Sequence, residues 1–409
     1  MRRLVIVGAS LAGLRAAQAA RKAGFDGELV MVGEERHRPY TRPPLSKELL
    51  AGEHTVDRVA LPCDELGIQW RLGAPATSLD RLRQRLVLAH GEEIEYDRLI
   101  LATGSRPRRW PGPGAGLDGV HVLRDLDDAL ALRTAFDARP RVTIVGAGFI
   151  GCEVAQTARN EGLEVTLIDV APTPMLPLGP ELGAWCAELH RDHGVDVRLG
   201  TGVAGLLGDG HVTEVELDGG ERVAADIVVV GLGALPNTEW LAGSGLIADR
   251  GLRCDATLTA VGDPNILAAG DIVAWPHPLA GGEAIRIEHW TVAAEQGQLA
   301  GRNAVLTPVE RKPYVSPPYF WSDQYDKKIQ SLGLPARAET IELLESTPDR
   351  SRLVYGCERD GQLVGIVAIN AARRLGSYRL ALEDPPAFDE VRARVAADPA
   401  ALGAPVGAA

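Results

Sequence analysis

The sequence predicts an α/β protein in which one strand–turn–helix–strand unit occurs twice, followed by a C-terminal α+β domain. Three observations predict this: glycine-rich turns beginning at Gly8 and Gly146, apolar strands flanking each turn, and alternating apolar residues after about residue 311. With 409 residues, 45% of them hydrophobic and 24% charged, the chain has the length and composition for two or three globular domains.

The first unit begins with an apolar strand, Leu4–Val7, and the turn from Gly8 to Gly13. Glycines in such a turn let the backbone approach a pyrophosphate, whose charge lies at the N-terminus of the following helix. Ser10 replaces the middle glycine but is small enough for close approach, and the acidic residue after the second strand is Glu34. The opening MRRLVIVGAS imitates a secretory signal, but we interpret it as the first strand because the turn follows directly.

The second unit repeats this order, with strand Val142–Val145, the turn GAGFIG and a strand ending at Asp169. A carboxylate at that strand end accepts hydrogen bonds from a ribose 2′-OH, whereas a 2′-phosphate would meet like charge. The next residue is Val170 and not an arginine, which favours NADH over NADPH. A purely structural turn is the alternative for either copy, and the repetition, with starts 138 residues apart, disfavours it.

Two further strand ends indicate that one of the two strand–turn–helix–strand units binds a flavin. LILATGSRPR (99–108) ends a strand at Ala102-Thr103-Gly104, and PNILAAGDIVAW (264–275) ends one at Gly270-Asp271. An aspartate in that place can bond the ribityl hydroxyls of a flavin, although an isolated Gly-Asp is also a common turn. With both glycine turns present, these segments predict one flavin site and one nicotinamide site.

Together with RPPLSK (42–47) and FWSDQY (320–325), these motifs resemble the NADH-dependent ferredoxin reductases of bacterial oxygenase systems. Those enzymes are glutathione-reductase-like flavoproteins with two Rossmann-like dinucleotide-binding domains, and the resemblance covers essentially the whole chain. It implies that FAD takes hydride from NADH and that single electrons pass to a [2Fe–2S] ferredoxin serving a cytochrome P450 or a Rieske-type oxygenase. It also implies three domains: FAD-binding (1–110 and 235–310), NAD-binding (111–234) and C-terminal (311–409), the last covering the flavin and docking ferredoxin.

The segment Pro43-Pro44-Leu45-Ser46-Lys47 stands where disulfide reductases of the larger superfamily carry a redox cysteine pair, and where NADH oxidases and peroxidases carry one cysteine. Prolines fix φ and can begin a helix rigidly. The resemblance implies that Pro44 packs beside the isoalloxazine and that Lys47 reaches towards its N5 edge. It further implies that Glu153 pairs with this lysine near the nicotinamide, the alternative being an ordinary acidic residue at a helix N-terminus.

The motifs and the resemblance together imply the other cofactor contacts. The predicted FAD contacts are Gly8, Ser10, Leu11, Ala12, Gly13, Glu34, Arg42, Lys47, Ala76, Ala102, Thr103, Gly104, Arg124, Gly270, Asp271, Glu288, His289, Trp290 and Trp321. The predicted NAD contacts are Gly146, Gly148, Phe149, Ile150, Gly151, Glu153, Asp169 and Gly233.

Three of these contacts carry a specific expectation. The resemblance places the start of a helix in 287–306 against the flavin, where its positive end would stabilise the reduced ring by about 1 kcal/mol. Phe149 is expected to move aside for the nicotinamide, with plain helix–sheet packing as the alternative. Trp321 is expected to contact the flavin, with an ordinary core position as the alternative.

The formal net charge of −12 disfavours a nucleic-acid binder, which would normally be basic. An acidic ferredoxin would also be repelled unless a local basic patch steers it. The dibasic pairs in or beside the C-terminal domain are Arg311-Lys312, Lys327-Lys328 and Arg373-Arg374, and the last four residues are the predicted docking set.

The five cysteines are dispersed without a CxxC pair, which favours free thiols in a reducing cytoplasm. No run of 18 apolar residues occurs, so no membrane span is predicted. His190 and His193 lie three apart on a predicted helix, but no cysteine or acidic residue completes a ligand set at an obvious spacing. We therefore predict surface histidines and no metal.

Two other functions remain open at the level of sequence. An NADH oxidase would reduce O₂ directly, although the flavin-facing cysteine of the oxidase and peroxidase families is missing here. A signalling flavoprotein similar to apoptosis-inducing factor would change shape with NADH and hold a long-lived charge-transfer complex. Whether the chain is a monomer or a homodimer is also open.

Overall fold

A computed structural model describes residues 1–398, which divide into two units. The first unit consists of Met1–Thr41, Ala60–Arg106 and Pro236–Phe320, and the second of Arg42–Val59, Pro107–Leu235 and the chain from Trp321 onward. Two short strands, Ser105–Pro107 and Ala234–Pro236, lie where the chain passes from one unit to the other.

A five-stranded parallel sheet forms the centre of the first unit. Its strands lie in the order Ile266–Ala268, Arg98–Leu101, Arg3–Val7, Glu28–Val32 and Ile68–Arg71. All of these strands except Ile68–Arg71 are apolar and buried apart from a charged first residue in three of them, as expected for parallel strands covered on both faces. Because all five run the same way, the predicted cofactor motifs follow their carboxyl ends at one edge of the sheet.

Two helices of the first unit, Leu11–Lys22 and Trp290–Val305, pack backbone against backbone. A Cβ atom at Gly297 or Gly301 would lie 2.4 or 2.1 Å from the carbonyl oxygen of Ala12 or Ala16. Glycine is therefore required for this packing. The unit also contains two small sheets, with strands Ala76–Asp80, Arg85–Leu88 and Glu93–Glu95, and Leu252–Arg253, Val273–Pro276 and Ala284–Ile285.

The second unit contains a similar parallel sheet. Its strand order is Asp196–Leu199, Val165–Asp169, Val142–Val145, Ile227–Val230 and Val120–His121. The helices of this part are Leu126–Phe136, Phe149–Asn160 and Pro180–Asp192, with a short helix at Val56–Val59. An antiparallel sheet of Val203–Asp209, His211–Leu217 and Arg222–Ala224 completes the apolar core there.

The C-terminal part of the second unit is a five-stranded sheet with helices Leu375–Ala381 and Phe388–Ala397. The strand order is Tyr319–Gln324, Lys327–Gly333, Gln362–Ile369, Leu353–Arg359 and Thr340–Ser346. The predicted hairpin at Asp360-Gly361 is confirmed, since both residues have positive φ, 53° and 76°, as a two-residue turn of this kind requires.

The predicted fold class is confirmed in its main elements. The predicted helix within 287–306 extends from Trp290 to Val305. All five cysteines are free and buried. Within residues 1–398, every helix is too short or too polar to cross a bilayer.

Candidate dinucleotide and redox sites

The first glycine turn is held by contacts that exclude any side chain. Gly8 has φ of 120°, donates its N–H to Val32 O at 2.7 Å, and would place a Cβ 2.0 Å from Ala102 O. A Cβ on Gly13 would lie 2.0 Å from Gly8 O. The helix that follows, Leu11–Lys22, has no acidic residue in its first turn. Its N-terminus therefore presents positive partial charge to a phosphate.

Asp271 is held just beyond the carboxyl end of the strand Ile266–Ala268, which belongs to the same sheet. It is 8% exposed, and its Oδ2 accepts a hydrogen bond from Ser105 Oγ at 2.9 Å. Arg286 Nη1 donates to the Asp271 carbonyl at 3.1 Å, and Gly270 N donates to Gln296 Oε1 at 2.9 Å. These contacts set the position of the carboxylate before any ligand binds.

The Ala102-Thr103-Gly104 turn is closed by Asn237, which sequence reasoning missed. Thr103 Oγ1 donates to Asn237 O, and Asn237 Nδ2 donates to Thr103 O, both at 2.9 Å. Asn237 N also donates to Gly104 O at 2.9 Å. Glu34 lies exposed after the second strand, and Ala76 begins the strand Ala76–Asp80.

The helix predicted to face the flavin begins at Trp290, with His289 as its cap residue. The His289 ring centre is 4.7 Å from that of Phe320, and burial lowers the pKa of His289 to about 4. The imidazole is therefore neutral at pH 7. Glu288 forms an ion pair with Arg286, and the first helical turn contains no acidic residue. The helix N-terminus consequently remains electropositive.

The second glycine turn has the same backbone as the first. Gly146 has φ of 110° and would place a Cβ 2.3 Å from Gly231 O, and a Cβ on Gly151 would lie 2.0 Å from Gly146 O. The middle residue, Gly148, differs because a Cβ there would meet no atom within 4 Å. Its lack of a side chain leaves room for a ligand and is not needed for the fold.

Asp169 is held by the backbone of its own unit. Its Oδ2 accepts from Ala147 N at 2.6 Å and its Oδ1 from Ala171 N at 2.8 Å. The carboxylate is thereby fixed at the strand end, beside the second glycine turn. Next to it, Val170 is 74% exposed and supplies no positive charge for a 2′-phosphate.

The expected ion pair between Lys47 and Glu153 is present. Lys47 Nζ lies 2.7 Å from Glu153 Oε2, with side chains 12% and 4% exposed. Pro43–Ser46 form one turn of 3₁₀ helix, and Pro44 O accepts from the backbone N–H of Lys47 at 3.1 Å. The two prolines therefore fix the backbone from which Lys47 extends.

Two buried hydroxyl groups complete the surroundings of Glu153, and sequence reasoning missed both. Ser46 Oγ donates to Oε2 at 2.6 Å, and Ser322 Oγ donates to Oε1 at 2.6 Å. Gln324 Nε2 in turn donates to Ser322 Oγ at 3.0 Å. These residues belong to RPPLSK and FWSDQY, so the two motifs that carried the resemblance converge on one carboxylate.

The remaining predicted residues of the second unit are placed as follows. Arg42 Nη1 donates to the Arg124 carbonyl at 2.6 Å. Phe149 and Trp321 are half-buried, and Ile150 is 47% exposed. Gly233 has φ of 82° and is exposed, with its carbonyl accepting from Arg108 N at 2.9 Å. The cofactor roles of these residues stay predictions.

Two members of the dibasic pairs are structural residues, which corrects the docking prediction. Arg311 is 7% exposed and donates to Thr259 Oγ1 and Pro264 O, both at 2.8 Å. The Arg374 side chain is 13% exposed and pairs with Glu345 at 2.9 Å and Asp398 at 2.7 Å. Arg373 and Lys328 are exposed, and Lys327 is partly exposed beside Asp326.

The prediction that His190 is a surface histidine is wrong. His190 is fully buried, whereas His193 is exposed as predicted. The His190 ring lies with Cys152 and Cys186 in a cluster whose ligand atoms are all within 4.8 Å of one another. Cysteine partners are therefore present, although Cys152 comes from a different helix and its spacing gave no signal.

Comparison with known proteins finds similarity over most of the chain. The profile of the family described as pyridine nucleotide-disulphide oxidoreductase matches residues 2–297, and that described as reductase C-terminal matches residues 319–402. Rhodocoxin reductase of Rhodococcus erythropolis is 37% identical over 94% of this chain and 92% of its own length. The ferredoxin–NAD(+) reductase component of the anthranilate 1,2-dioxygenase system of Burkholderia cepacia is 38% identical over 92% of each chain.

A solved structure with similar architecture is the covalent putidaredoxin reductase–putidaredoxin complex. It matches with a TM-score of 0.87 and 32% identity, over 94% of this chain and 93% of the matched chain. The similarity in sequence and in structure therefore extends through both glycine turns and the C-terminal sheet.

Proposed function

This chain belongs to the pyridine nucleotide-disulphide oxidoreductase family, and from that membership we propose that it is an FAD-dependent NADH:ferredoxin oxidoreductase. It takes hydride from NADH and passes electrons singly to a [2Fe–2S] ferredoxin that serves a cytochrome P450 or a Rieske-type oxygenase. The ferredoxin acceptor is supported by the relatives, one named as a dioxygenase-system component and one bound to putidaredoxin.

The observation that carries the proposal is the chemistry of residues 43–47. This segment contains no cysteine, and its lysine is bound instead to a buried glutamate at 2.7 Å. A thiol relay in this place is therefore excluded, and the electrons go directly to an external acceptor. The five free cysteines lie elsewhere in the sequence.

The residues of the first unit fit FAD. The turn from Gly8 to Gly13 admits no side chain at either end and leaves a helix N-terminus for the pyrophosphate. The buried Asp271 carboxylate suits ribityl hydroxyls, and the N-terminus of Trp290–Val305 suits a ring that gains negative charge. When bound, FAD accepts two electrons with a hydride and releases them one at a time.

The residues of the second unit fit NADH. The open space at Gly148 and the N-terminus of Phe149–Asn160 bind the pyrophosphate, and Asp169 accepts from the ribose hydroxyls. Lys47 and Glu153 orient the nicotinamide as a fixed ion pair and do not transfer protons. Both Glu153 oxygens already accept hydrogen bonds from buried serines, which holds the pair in one geometry.

The test is an anaerobic stopped-flow experiment on the flavin-loaded protein. We expect rapid bleaching of the flavin by NADH, much slower bleaching by NADPH, and rapid reoxidation by oxidised [2Fe–2S] ferredoxin. Reoxidation by O₂ at a rate equal to that with ferredoxin would favour an NADH oxidase. A long-lived charge-transfer band without acceptor reduction would favour the signalling alternative and overturn the reductase function.

We further propose that ferredoxin docks beside Lys327, Lys328 and Arg373. Lys328 N donates to Asn370 Oδ1 and Lys328 O accepts from Asn370 N, and Asn370 is three residues before Arg373, so these cations lie at one end of the adjacent strands Lys327–Gly333 and Gln362–Ile369. Lys327 pairs with Asp326, and Lys328 Nζ lies 3.6 Å from Asp323 Oδ1. These two carboxylates limit the net positive charge of the surface. A moderate contribution to steering follows.

The docking surface is tested with the double variant Lys328→Glu/Arg373→Glu. Its kcat/KM for ferredoxin should fall roughly 3- to 10-fold with a weaker salt dependence, because charges at an interface rim act on the association rate. Bleaching by NADH should stay unchanged. The matched control is Arg83→Glu, an exposed cation of the first unit, and an equal fall in that variant would refute local docking.

A further inference from the structure

A buried cluster of soft ligand atoms lies beneath the second glycine turn. Cys186 and His190 are four residues apart on the helix Pro180–Asp192 and therefore share one of its faces. Cys152 joins them from the first turn of Phe149–Asn160. The three side chains are at most 1% exposed, and their ligand atoms lie within 4.8 Å of one another.

A fourth soft atom lies beside the cluster. Met175 Sδ is 3.9 Å from Cys186 Sγ, and the side chain is 1% exposed. Met175 has a φ of 47°, which is uncommon for a residue with a side chain, and its N–H donates to Ala147 O at 2.9 Å. The thioether is thus held at the cluster by a backbone conformation that is normally disfavoured.

The His190 ring is oriented as a ligand would be. A hydrogen bond of 3.3 Å joins its Nδ1 to the Tyr325 hydroxyl. Its Nε2 is buried and has no hydrogen-bond partner among residues 1–398. Metal-binding histidines commonly use one ring nitrogen for such an outer hydrogen bond, which leaves the lone pair of the other nitrogen for the metal.

We propose that Cys152, Cys186, His190 and Met175 bind one Cu(I) ion. Thiolate and thioether sulfurs select Cu(I), whereas the usual ligands of zinc are thiolate, imidazole and carboxylate. Two thiolates that share one metal at bonds of about 2.3 Å lie roughly 4 Å apart, within the observed limit.

Binding changes the charge of the cluster without oxidation or reduction. Cu(I) replaces one proton on each thiol, two protons are released, and the occupied site carries one negative charge where the free thiols carried none. Cys152 adjoins Glu153 at the N-terminus of the helix proposed to bind the NADH pyrophosphate. Occupancy should therefore raise the KM for NADH, a consequence that rests on the proposed function, whereas the metal site does not.

The first experiment titrates the reduced, FAD-loaded full chain with Cu(I) under anaerobic conditions against a competing chromogenic chelator. We expect one Cu(I) per chain, with an apparent affinity that rises as pH increases because protons are released. Cys186→Ser should lower the affinity at least roughly 100-fold. Cys254→Ser is the matched control, because it removes a buried thiol of the first unit outside the cluster. Its affinity for Cu(I) should equal that of the wild type.

Two milder variants keep the test decisive if a cysteine variant does not fold. Met175→Leu should weaken Cu(I) but not Zn²⁺, and Tyr325→Phe should weaken both roughly 10-fold by removing the outer hydrogen bond. Failure of the wild type to retain Cu(I), or undiminished binding in Cys186→Ser and Met175→Leu, would overturn the site. Copper bound with an unchanged KM for NADH would overturn only the coupling to NADH.

Discussion

The two glycine turns share a backbone and differ in their side chains. Gly8 and Gly146 have φ of 120° and 110°, and a Cβ on the last glycine of either turn, Gly13 or Gly151, would lie 2.0 Å from the carbonyl oxygen of the first. Two residues further along the helix, the first turn has Arg15 and the second has Glu153. Arg15 bonds Gln18 on its own helix, at 2.9 Å, whereas Glu153 bonds three residues distant in sequence.

On the proposed function, the difference explains how one phosphate-binding backbone can serve two cofactors. Backbone geometry alone excludes side chains and exposes a helix N-terminus, so it suits the pyrophosphate that we propose for either cofactor. Side chains that enter from other segments then decide which dinucleotide binds and what happens to it. In the second turn those side chains are, in our proposal, Asp169 and Lys47, and Lys47 pairs with Glu153 of the helix that follows the turn.

The largest expected effects come from substitutions that disrupt the backbone of each glycine turn. Gly8→Ala would place a methyl group 2.0 Å from Ala102 O, and the purified protein should contain no flavin. Gly146→Ala meets Gly231 O at 2.3 Å, and this protein should keep its flavin but lose bleaching by NADH. The flavin absorbance and the stopped-flow rate separate the two outcomes.

Gly148→Ala is the control for this pair. A Cβ there meets no atom within 4 Å and φ is −73°, so the melting temperature should not change. The KM for NADH should rise, because the methyl group occupies space left for the ligand. A lower melting temperature with unchanged KM would contradict the assignment of that space to NADH.

The next largest effect is expected at the position where the two helices differ. Glu153→Gln keeps a group that can bond Ser46 and Ser322 but leaves the Lys47 ammonium without its carboxylate. Breaking a buried ion pair costs about 2 kcal/mol or more, so the rate of flavin bleaching by NADH should fall at least roughly 30-fold. Stopped-flow bleaching at saturating NADH measures it.

Arg15→Gln, at the equivalent position of the first helix, is the matched control for Glu153→Gln. Because the side chain of Arg15 bonds only Gln18 of its own helix among residues 1–398, bleaching should be nearly unchanged. Equal losses in the two variants would mean that the ion pair has no special part in the reaction.

The backbone frame is predictable from the sequence because its signals are local. Strand, glycine turn and helix follow one another within the 20 residues from Arg3 to Lys22 in the first copy, and Val142–Val145 is found where the apolar run predicted it. Asp169 is also local, since it ends the next strand. The Lys47–Glu153 pair was expected only from the family resemblance, because no periodicity connects residues so distant.

The missed features depend on contacts across long stretches of chain. Ser322 reaches Glu153 over 169 residues, and Cys152 meets His190 only because two helices pack together. A dibasic pair likewise gives no sign that Arg374 is buried against Glu345. The one available signal for the serines was that both lie in motifs already singled out.

A smaller effect is expected from Asp169→Asn. Both carboxylate oxygens accept backbone N–H groups, and the amide can replace only one of them. The ribose also loses a charged acceptor, worth about 1.5 kcal/mol, so kcat/KM for NADH should fall roughly 10-fold. The ratio of kcat/KM for NADH to that for NADPH should fall as well, since the like charge is gone.

Asn265→Asp is the control for a change of charge outside the second glycine turn. Asn265 immediately precedes the strand Ile266–Ala268 of the first unit. The coenzyme preference of this variant should match that of the wild type. A preference in Asp169→Asn that is also unchanged would show that the strand-end acid of the second turn does not select the coenzyme.

The smallest effect is expected from Ser322→Ala, which sharpens the comparison of the two helices. The variant removes one hydrogen bond to Glu153 but leaves Lys47 and Ser46 in contact with the carboxylate. If the serine only holds the ion pair in position, flavin bleaching by NADH should slow roughly 3-fold. The free energy of unfolding should fall by about 1 kcal/mol. Ser322→Thr, which keeps the hydroxyl, should restore the rate. If Ser322→Ala slowed bleaching as much as Glu153→Gln, the hydroxyl network and not the ion pair would distinguish the second turn from the first.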